Sequence, residues 1–202
     1  MGRFKLKKKD VYIDMTAMSD VTVLLLTFFM LTSTFIKPEP VKVNTPGSVS
    51  DIKIPEANVL TITVDKDGRV FLALDKKGDM MSTLDEMQEK YGQSFNNQEK
   101  RAFGLLTTVG VSVGQLKAFL ALKPEDQTAF LKSPQCKGIP CDSTHNEFKD
   151  WVQSARNVNP DLRIAIKADS KVSYKVIKQV MNSLQDIKEN RYNLITSLKK
   201  ED

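Results

Sequence analysis

The sequence is poor in the residues that metal and nucleophilic chemistry use. Its 202 residues include one histidine, His145, and two cysteines, Cys136 and Cys141. A structural zinc site takes about four such ligands, and a single histidine gives little scope for a serine-histidine-aspartate triad. The glycine-containing stretch GLLTTVGVSVG at 104–114 fits neither nucleotide-binding fingerprint. We therefore predict no metal, no cofactor and no enzymatic activity.

A concentrated basic face is also lacking. The formal net charge is +5. The first sixteen residues carry +3 of it, because they contain five Lys and Arg residues and two acidic residues, Asp10 and Asp14. In the remaining chain, acidic and basic residues are interleaved. Since nucleic-acid binding needs clustered cations, we predict no nucleic-acid partner.

A long apolar run, IDMTAMSDVTVLLLTFFMLTSTFI at 13–36, follows the basic start. The twenty residues 17–36 contain one charged side chain, Asp20, and as a helix they span about 30 Å, the thickness of a bilayer core. We predict a cytoplasmic tail over 1–16 and a transmembrane helix over 17–36. A cleaved signal peptide is the alternative, but the run is long, contains an acid and lacks a small-x-small cleavage pattern. The preceding cations place the N-terminus in the cytoplasm.

The rest of the chain predicts an α+β fold outside the cytoplasm. Residues 37–57 hold four prolines and are typical of an extended linker. The domain over 58–202 begins with a β-hairpin of 58–65 and 69–74 around DKDG. An enlarged helical insertion follows over about 79–158, with a predicted cap at Ser82 and a core position at Trp151. A strand in DLRIAIKA, a helix from SYKVIKQVM and a strand in RYNLITSL complete a small mixed sheet with helices.

The two cysteines lie close together in the sequence, in SPQCKGIPCDS. In an oxidising compartment, such a pair is expected to form a disulfide between Cys136 and Cys141. A metal site is the alternative, but the chain offers too few further ligands. His145 is expected to be an ordinary residue near the start of a helix.

Polar residues follow Asp20 along one face of the predicted membrane helix. Residues seven apart drift by only about 20°, so Asp20, Thr27 and Thr34 share a stripe. Thr16 lies one turn before Asp20, and Ser19 flanks the stripe. Asp20 either marks the membrane interface or faces a protein-lined path, where a carboxyl group exchanging one proton suits a relay.

These residues resemble the ExbD/TolR family. IDMTAMSDV at 13–21 is similar to the family's hydrophobic-(Asn/Asp)-x-Thr-Pro-x-x-Asp-Val pattern, and VKVNTP at 41–46, including Val41, Val43 and Pro46, is similar to its V-x-V-x-L-P linker motif. Two later stretches are also similar to the family. The hairpin sequence is LTITVDKDGRVF at 60–71, and the strand, Asp and Tyr-led helix are in LRIAIKADSKVSYKVIKQVM at 162–181. The chain departs from the family at Ala17, where the proline is expected, and at Ser19 and Thr45, where apolar residues are expected.

The resemblance implies an integral subunit of an inner-membrane motor. Such proteins work as a homodimer inside a pentamer of an ExbB/TolQ-like protein, and Asp20 is the position that relays protons. The motion acts on a TonB-like protein that serves outer-membrane transport. ExbD-type transport is favoured over TolR-like envelope maintenance. A membrane-tethered periplasmic adaptor without a proton role is the other hypothesis, and a flagellar-type stator is disfavoured because no peptidoglycan-binding pattern is recognised.

Overall fold

The computed structural model describes residues 15–33, 39–48, 57–142 and 145–198, which fall into two units, 1–38 and 39–202. Within the first unit, helix α1 spans Met15–Thr32. It begins two residues before the predicted span, and residues 34–36 of that span lie outside the described residues. The helix is long and apolar enough to cross a membrane.

The second unit is an α+β domain, as predicted. Its strands are β1 (Gly47–Ser48), β2 (Val59–Val64), β3 (Val70–Leu74), β4 (Arg163–Ala168), β5 (Tyr192–Ile195) and β6 (Ser197–Leu198). Its helices are α2 (Lys77–Tyr91), α3 (Asn97–Leu105), α4 (Val113–Leu120), α5 (Pro124–Lys132), α6 (Glu147–Val158) and α7 (Tyr174–Asp186).

The main sheet is mixed and has the strand order β3-β2-β4-β5. The hairpin β2–β3 is antiparallel, whereas β4 runs parallel to β2 and β5 runs parallel to β4. Gly68 has a φ of +77° in the hairpin turn, where its amide donates to the Asp65 carbonyl at 2.8 Å. Glycine suits this position because a positive φ strains other residues. The predicted hairpin is confirmed.

The helical insertion is also confirmed, but its first helix begins earlier than expected. Helix α2 starts at Lys77, so the predicted cap at Ser82 is wrong. Met80 is buried and anchors the first turn, and the Thr83 hydroxyl donates to the Asp79 carbonyl at 2.6 Å. These contacts extend the helix toward the N-terminus without a side-chain cap at Lys76.

The insertion forms a large part of the domain core. Trp151 is 1% exposed, as predicted for a core residue, and its ring stacks on Phe103 with centroids 5.9 Å apart. The insertion also pairs with the outer strand β3, because Ile139 donates its amide to the Val70 carbonyl at 2.8 Å. Gly138 makes that approach possible, since a Cβ atom there would lie 2.8 Å from the Val70 nitrogen. The insertion is therefore integral to the fold.

Candidate functional site

The polar residues predicted to line a path lie in α1, with one exception. Thr16, Ser19, Asp20 and Thr27 are all within Met15–Thr32, whereas Thr34 lies outside the described residues. Because residues seven apart on a helix drift by about 20°, Asp20 and Thr27 share one face. The helix therefore carries its single ionisable side chain on a polar stripe, one and a half turns from its N-terminal end.

Three threonine hydroxyls of α1 are satisfied within the helix. Thr22 donates to the Met18 carbonyl at 2.8 Å, Thr27 to the Leu24 carbonyl at 2.9 Å, and Thr32 to the Phe28 carbonyl at 2.8 Å. Such bonds satisfy a hydroxyl without water or a partner helix. The Asp20 carboxylate, in contrast, accepts no hydrogen bond from any residue that the structure describes.

The surface of α1 is apolar and exposed along its whole length. No residue of the helix is buried, and the exposed fraction reaches 61% at Phe29 and 87% at Leu31. In water this surface would be unfavourable at about 25 cal/mol per Å². A lipid bilayer or neighbouring helices are the environments that suit such a surface.

Part of the predicted linker is docked on the domain. Val41 is 8% exposed, Val43 is half-buried against the hydrophobic core, and Pro46 is exposed. Residues 39–48 belong to the same unit as the sheet, and β1 pairs in parallel with β6. The two valines of the linker motif are thus packing residues. Residues 37–38 and 49–56 of the predicted linker lie outside the described residues.

Asp169 holds this docked segment at the end of β4. Its Oδ2 accepts the Asn44 amide at 2.9 Å, its Oδ1 accepts the Lys171 amide at 3.0 Å, and the Ser170 amide donates to the Asn44 carbonyl at 2.8 Å. The amides of Lys171 and Asn44 hold the pKa of Asp169 below its ordinary value.

A second contact fixes the start of the same segment, where Lys167 Nζ lies 2.7 Å from Glu39 Oε2. Neither contact was predicted from the sequence. The available signal was an Asp-Ser pair directly after a strand, because aspartate often accepts the amide two residues later in such a turn.

The two cysteines are free thiols in the structure, so the predicted disulfide is not formed there. Cys136 is buried and its Sγ donates to the Gly110 carbonyl at 3.0 Å, whereas Cys141 Sγ lies 3.6 Å from Ser183 Oγ. Burial raises the pKa of both thiols. Each thiol has its own polar partner, which explains how both are accommodated without bonding each other. No group of metal-ligating side chains occurs among the described residues.

The apolar helix with its single acid, the docked linker and the mixed sheet agree with the family resemblance. Residues 7–199 match the family described as Biopolymer transport protein ExbD/TolR. Because this match covers nearly the whole chain, the chain belongs to the ExbD/TolR family of biopolymer transport proteins. The family and the apolar helix agree with a single-pass component of the inner membrane.

A particular relative is Biopolymer transport protein exbD2 from Vibrio cholerae serotype O1 (strain ATCC 39315 / El Tor Inaba N16961). It is 32% identical over 68 residues, which are 33% of this chain and 51% of the relative. The chain therefore spans about half the length of this curated relative. No solved structure gives a significant match.

Proposed function

We propose that the chain is the proton-coupling subunit of an ExbB-ExbD-type motor in the inner membrane, with Asp20 as the proton relay. The observation that carries this proposal is the position of Asp20. It is the one ionisable residue of a span-length helix, and it has no side-chain partner among the described residues. An acid in a membrane helix is costly and commonly functional.

The surface of α1 supports the proposed assembly. Its exposed apolar side chains suit a helix enclosed by other helices, here those of an ExbB/TolQ-like pentamer that holds a homodimer of this chain. The basic tail favours a cytoplasmic N-terminus, so the α+β domain lies in the periplasm. There it acts on a TonB-like protein, and the relative's name, a biopolymer transport protein, supports this ExbD-type role.

The energetics favour repeated proton steps over a single stroke. One charge that crosses 100 mV releases about 2.3 kcal/mol. A movement that does substantial mechanical work on a partner therefore needs several protons. A carboxyl group that binds and releases one proton per step meets this requirement without a cofactor.

The polar stripe lines the path beside Asp20 in this proposal. Thr16, Ser19 and Thr27 share the helix with Asp20, and Thr34 extends the stripe in the sequence. The Thr27 hydroxyl donates to the Leu24 carbonyl, so it is satisfied within the helix and takes no part in proton transfer. The carboxyl group alone exchanges the proton.

The test is energy-dependent uptake through an outer-membrane receptor in cells that carry Asp20→Asn. Asparagine keeps the size and polarity of aspartate but exchanges no proton, so uptake should fall to the level of cells without the protein. Thr27→Val is the matched control on the same stripe, and it should retain most uptake. Protein level and membrane insertion are checked by immunoblot.

The other outcomes separate the alternatives. Normal uptake with a leaky outer envelope in the Asp20→Asn cells would assign the chain to a TolR-like role. Unchanged uptake and an intact envelope, with the protein inserted, would contradict a proton role and favour a membrane-tethered adaptor.

A further inference from the structure

A cavity in the α+β domain includes no residue of the docked linker segment 39–48 in its lining. It has a volume of about 830 Å³ and is formed by the end of α6, the turn before β4 and the chain from α7 into β5. We propose that this cavity, termed the basic cavity, binds an acidic peptide segment of a partner protein. Its lining includes Arg156, Arg163, Lys188 and Arg191.

One of the four cations is structural and holds the walls of the basic cavity together. Arg156 forms a two-point ion pair with Glu189, with nitrogen-oxygen distances of 2.7 and 2.6 Å. Its Nη1 also donates to the carbonyls of Pro160 and Leu162 at 2.7 and 2.6 Å. These contacts occupy the guanidinium group, so Arg156 shapes the cavity and is not free to bind a ligand.

The other three cations are exposed and available. Arg163, Lys188 and Arg191 form no salt bridge with any residue in the described ranges, and the acid that remains beside them is Asp161. Three cations against one acid leave an excess of positive charge on the cavity wall. Arginine binds carboxylates through two parallel hydrogen bonds, so this arrangement favours a ligand with carboxylate groups.

The backbone at Lys188 supplies an independent indication. Lys188 has a φ of +62°, directly after the end of α7, where its amide donates to the Gln185 carbonyl at 2.9 Å. Glycine is the usual residue at such a helix end because the left-handed region strains other side chains. A lysine one residue earlier would favour the helix dipole equally without this strain. The strained conformation of Lys188 is therefore consistent with a use for its side chain.

The size and lining of the basic cavity favour a peptide over a small ion. A volume of about 830 Å³ far exceeds that of one phosphate group. Asn190 and Asn193 line it as well, and their amides can both donate to and accept from a peptide backbone. Asp161 disfavours a uniformly anionic polymer. An extended segment with separated acidic side chains satisfies all of these groups.

The experiment measures binding of a fluorescent, end-blocked Ala-Glu-Ala-Glu-Ala peptide to the full chain in non-ionic detergent, by anisotropy. The matched probe is Ala-Gln-Ala-Gln-Ala. Loss of one charge-assisted hydrogen bond weakens binding about tenfold, so Lys188→Gly should lower the affinity by about this factor. The same substitution should raise the unfolding temperature of the domain, because it relieves the strained backbone.

Asn58→Gly is the matched control, since Asn58 has a φ of +58° and lies outside the basic cavity. It should leave peptide affinity unchanged. Equal binding of the glutamine peptide, or undiminished binding by Lys188→Gly, would overturn the proposal. Displacement of the peptide by inorganic phosphate at matched ionic strength would reassign the cavity to small anions. Binding needs no proton gradient, so Asp20→Asn should bind the peptide normally even if the proposed proton role fails.

Discussion

The aspartates Asp20 and Asp169 show how differently the two units of the chain are built. Asp169, in the α+β domain, accepts two backbone amides and ties the segment 39–48 to the sheet. Asp20, in α1, has no side-chain partner among the described residues. An acid that accepts hydrogen bonds within the fold stabilises that fold, whereas an acid without a partner contributes no such contact. Asp169 is thus satisfied within the domain, whereas in the proposed motor the surroundings of Asp20 come from other molecules.

The apolar residues repeat this contrast. In the domain, Phe71, Phe103 and Trp151 are at most 1% exposed. In α1, Phe28 and Phe29 are 58% and 61% exposed, although they stand in a helix of comparable length to α2. Burial within the chain therefore stabilises the domain, whereas the exposed apolar surface of α1 suits a membrane or neighbouring helices.

The largest expected effect on stability comes from truncating a core aromatic residue. Trp151→Ala should lower the free energy of unfolding of the domain by about 3–5 kcal/mol, because it removes a fully buried ring stacked on Phe103. Phe28→Ala, the matched change in α1, should leave the domain's unfolding curve unaltered. Urea titration of the full chain in detergent, followed by far-ultraviolet circular dichroism, measures both. Equal effects of the two changes would contradict this difference between α1 and the domain.

A smaller loss of stability is expected from removing a positive charge that is largely buried in the domain. Arg69 is paired with Asp65, donates to the Ser133 carbonyl at 2.9 Å and has a side chain only 13% exposed. Arg69→Met leaves the buried Asp65 carboxylate without its partner, which should cost about 3 kcal/mol.

Lys100→Met is the control for Arg69→Met. It breaks an ion pair with Asp85, whose side chain is 54% exposed, and should cost at most about 1 kcal/mol. Urea midpoints of the two variants measure the difference. A loss of stability of the same size in both variants would show that burial does not increase the contribution of the Arg69–Asp65 pair.

The next prediction concerns the pH dependence that Asp169 confers. Because its folded-state pKa is lowered, its contribution to stability is present above the ordinary aspartate pKa of about 3.9 and is lost as the pH falls through the lowered value. Asp169→Asn should reduce this part of the acid-induced loss of stability and should expose residues 39–48 to proteolysis. The exposed Asp75→Asn is the control, and an identical acid profile for both variants would contradict the assignment.

The smallest effect is a difference in reactivity between the cysteines. Cys141 is half-exposed and should react slowly with iodoacetamide in the native chain, whereas the buried Cys136 should react only after unfolding. Burial raises the pKa of both thiols, so the Cys141 rate should rise with pH up to its raised pKa. Mass spectrometry of peptides locates the label. A chain that takes up no label even when unfolded would instead carry the disulfide.

Local patterns in the sequence predicted most of the secondary structure. The hairpin follows from DKDG between alternating apolar residues, and Trp151 follows from its place on a periodic helix. The start of α2 was missed because Met80 and Thr83 act through packing and a backbone bond, which a capping pattern does not contain. Tertiary contacts overrode the local cap signal there.

Contacts between distant residues were not predictable. Four prolines indicated an extended linker, but docking of residues 39–48 depends on Asp169, 125 residues beyond Asn44. The cysteines are a second example, since closeness in the sequence does not determine whether the two side chains point toward each other. Asp20 was singled out from the sequence alone, because one acid in a span-length apolar run is unusual in itself, and its proton role stays a prediction.

The most direct measurement is proton flux through liposomes that contain the full chain assembled with an ExbB/TolQ-like partner. A pH gradient is imposed, and an internal pH dye reports the influx. We expect Asp20→Asn to reduce the flux to that of liposomes with the partner alone, whereas Thr27→Val should retain most of it. Equal flux through the parent and the Asp20→Asn assemblies would contradict the proton relay.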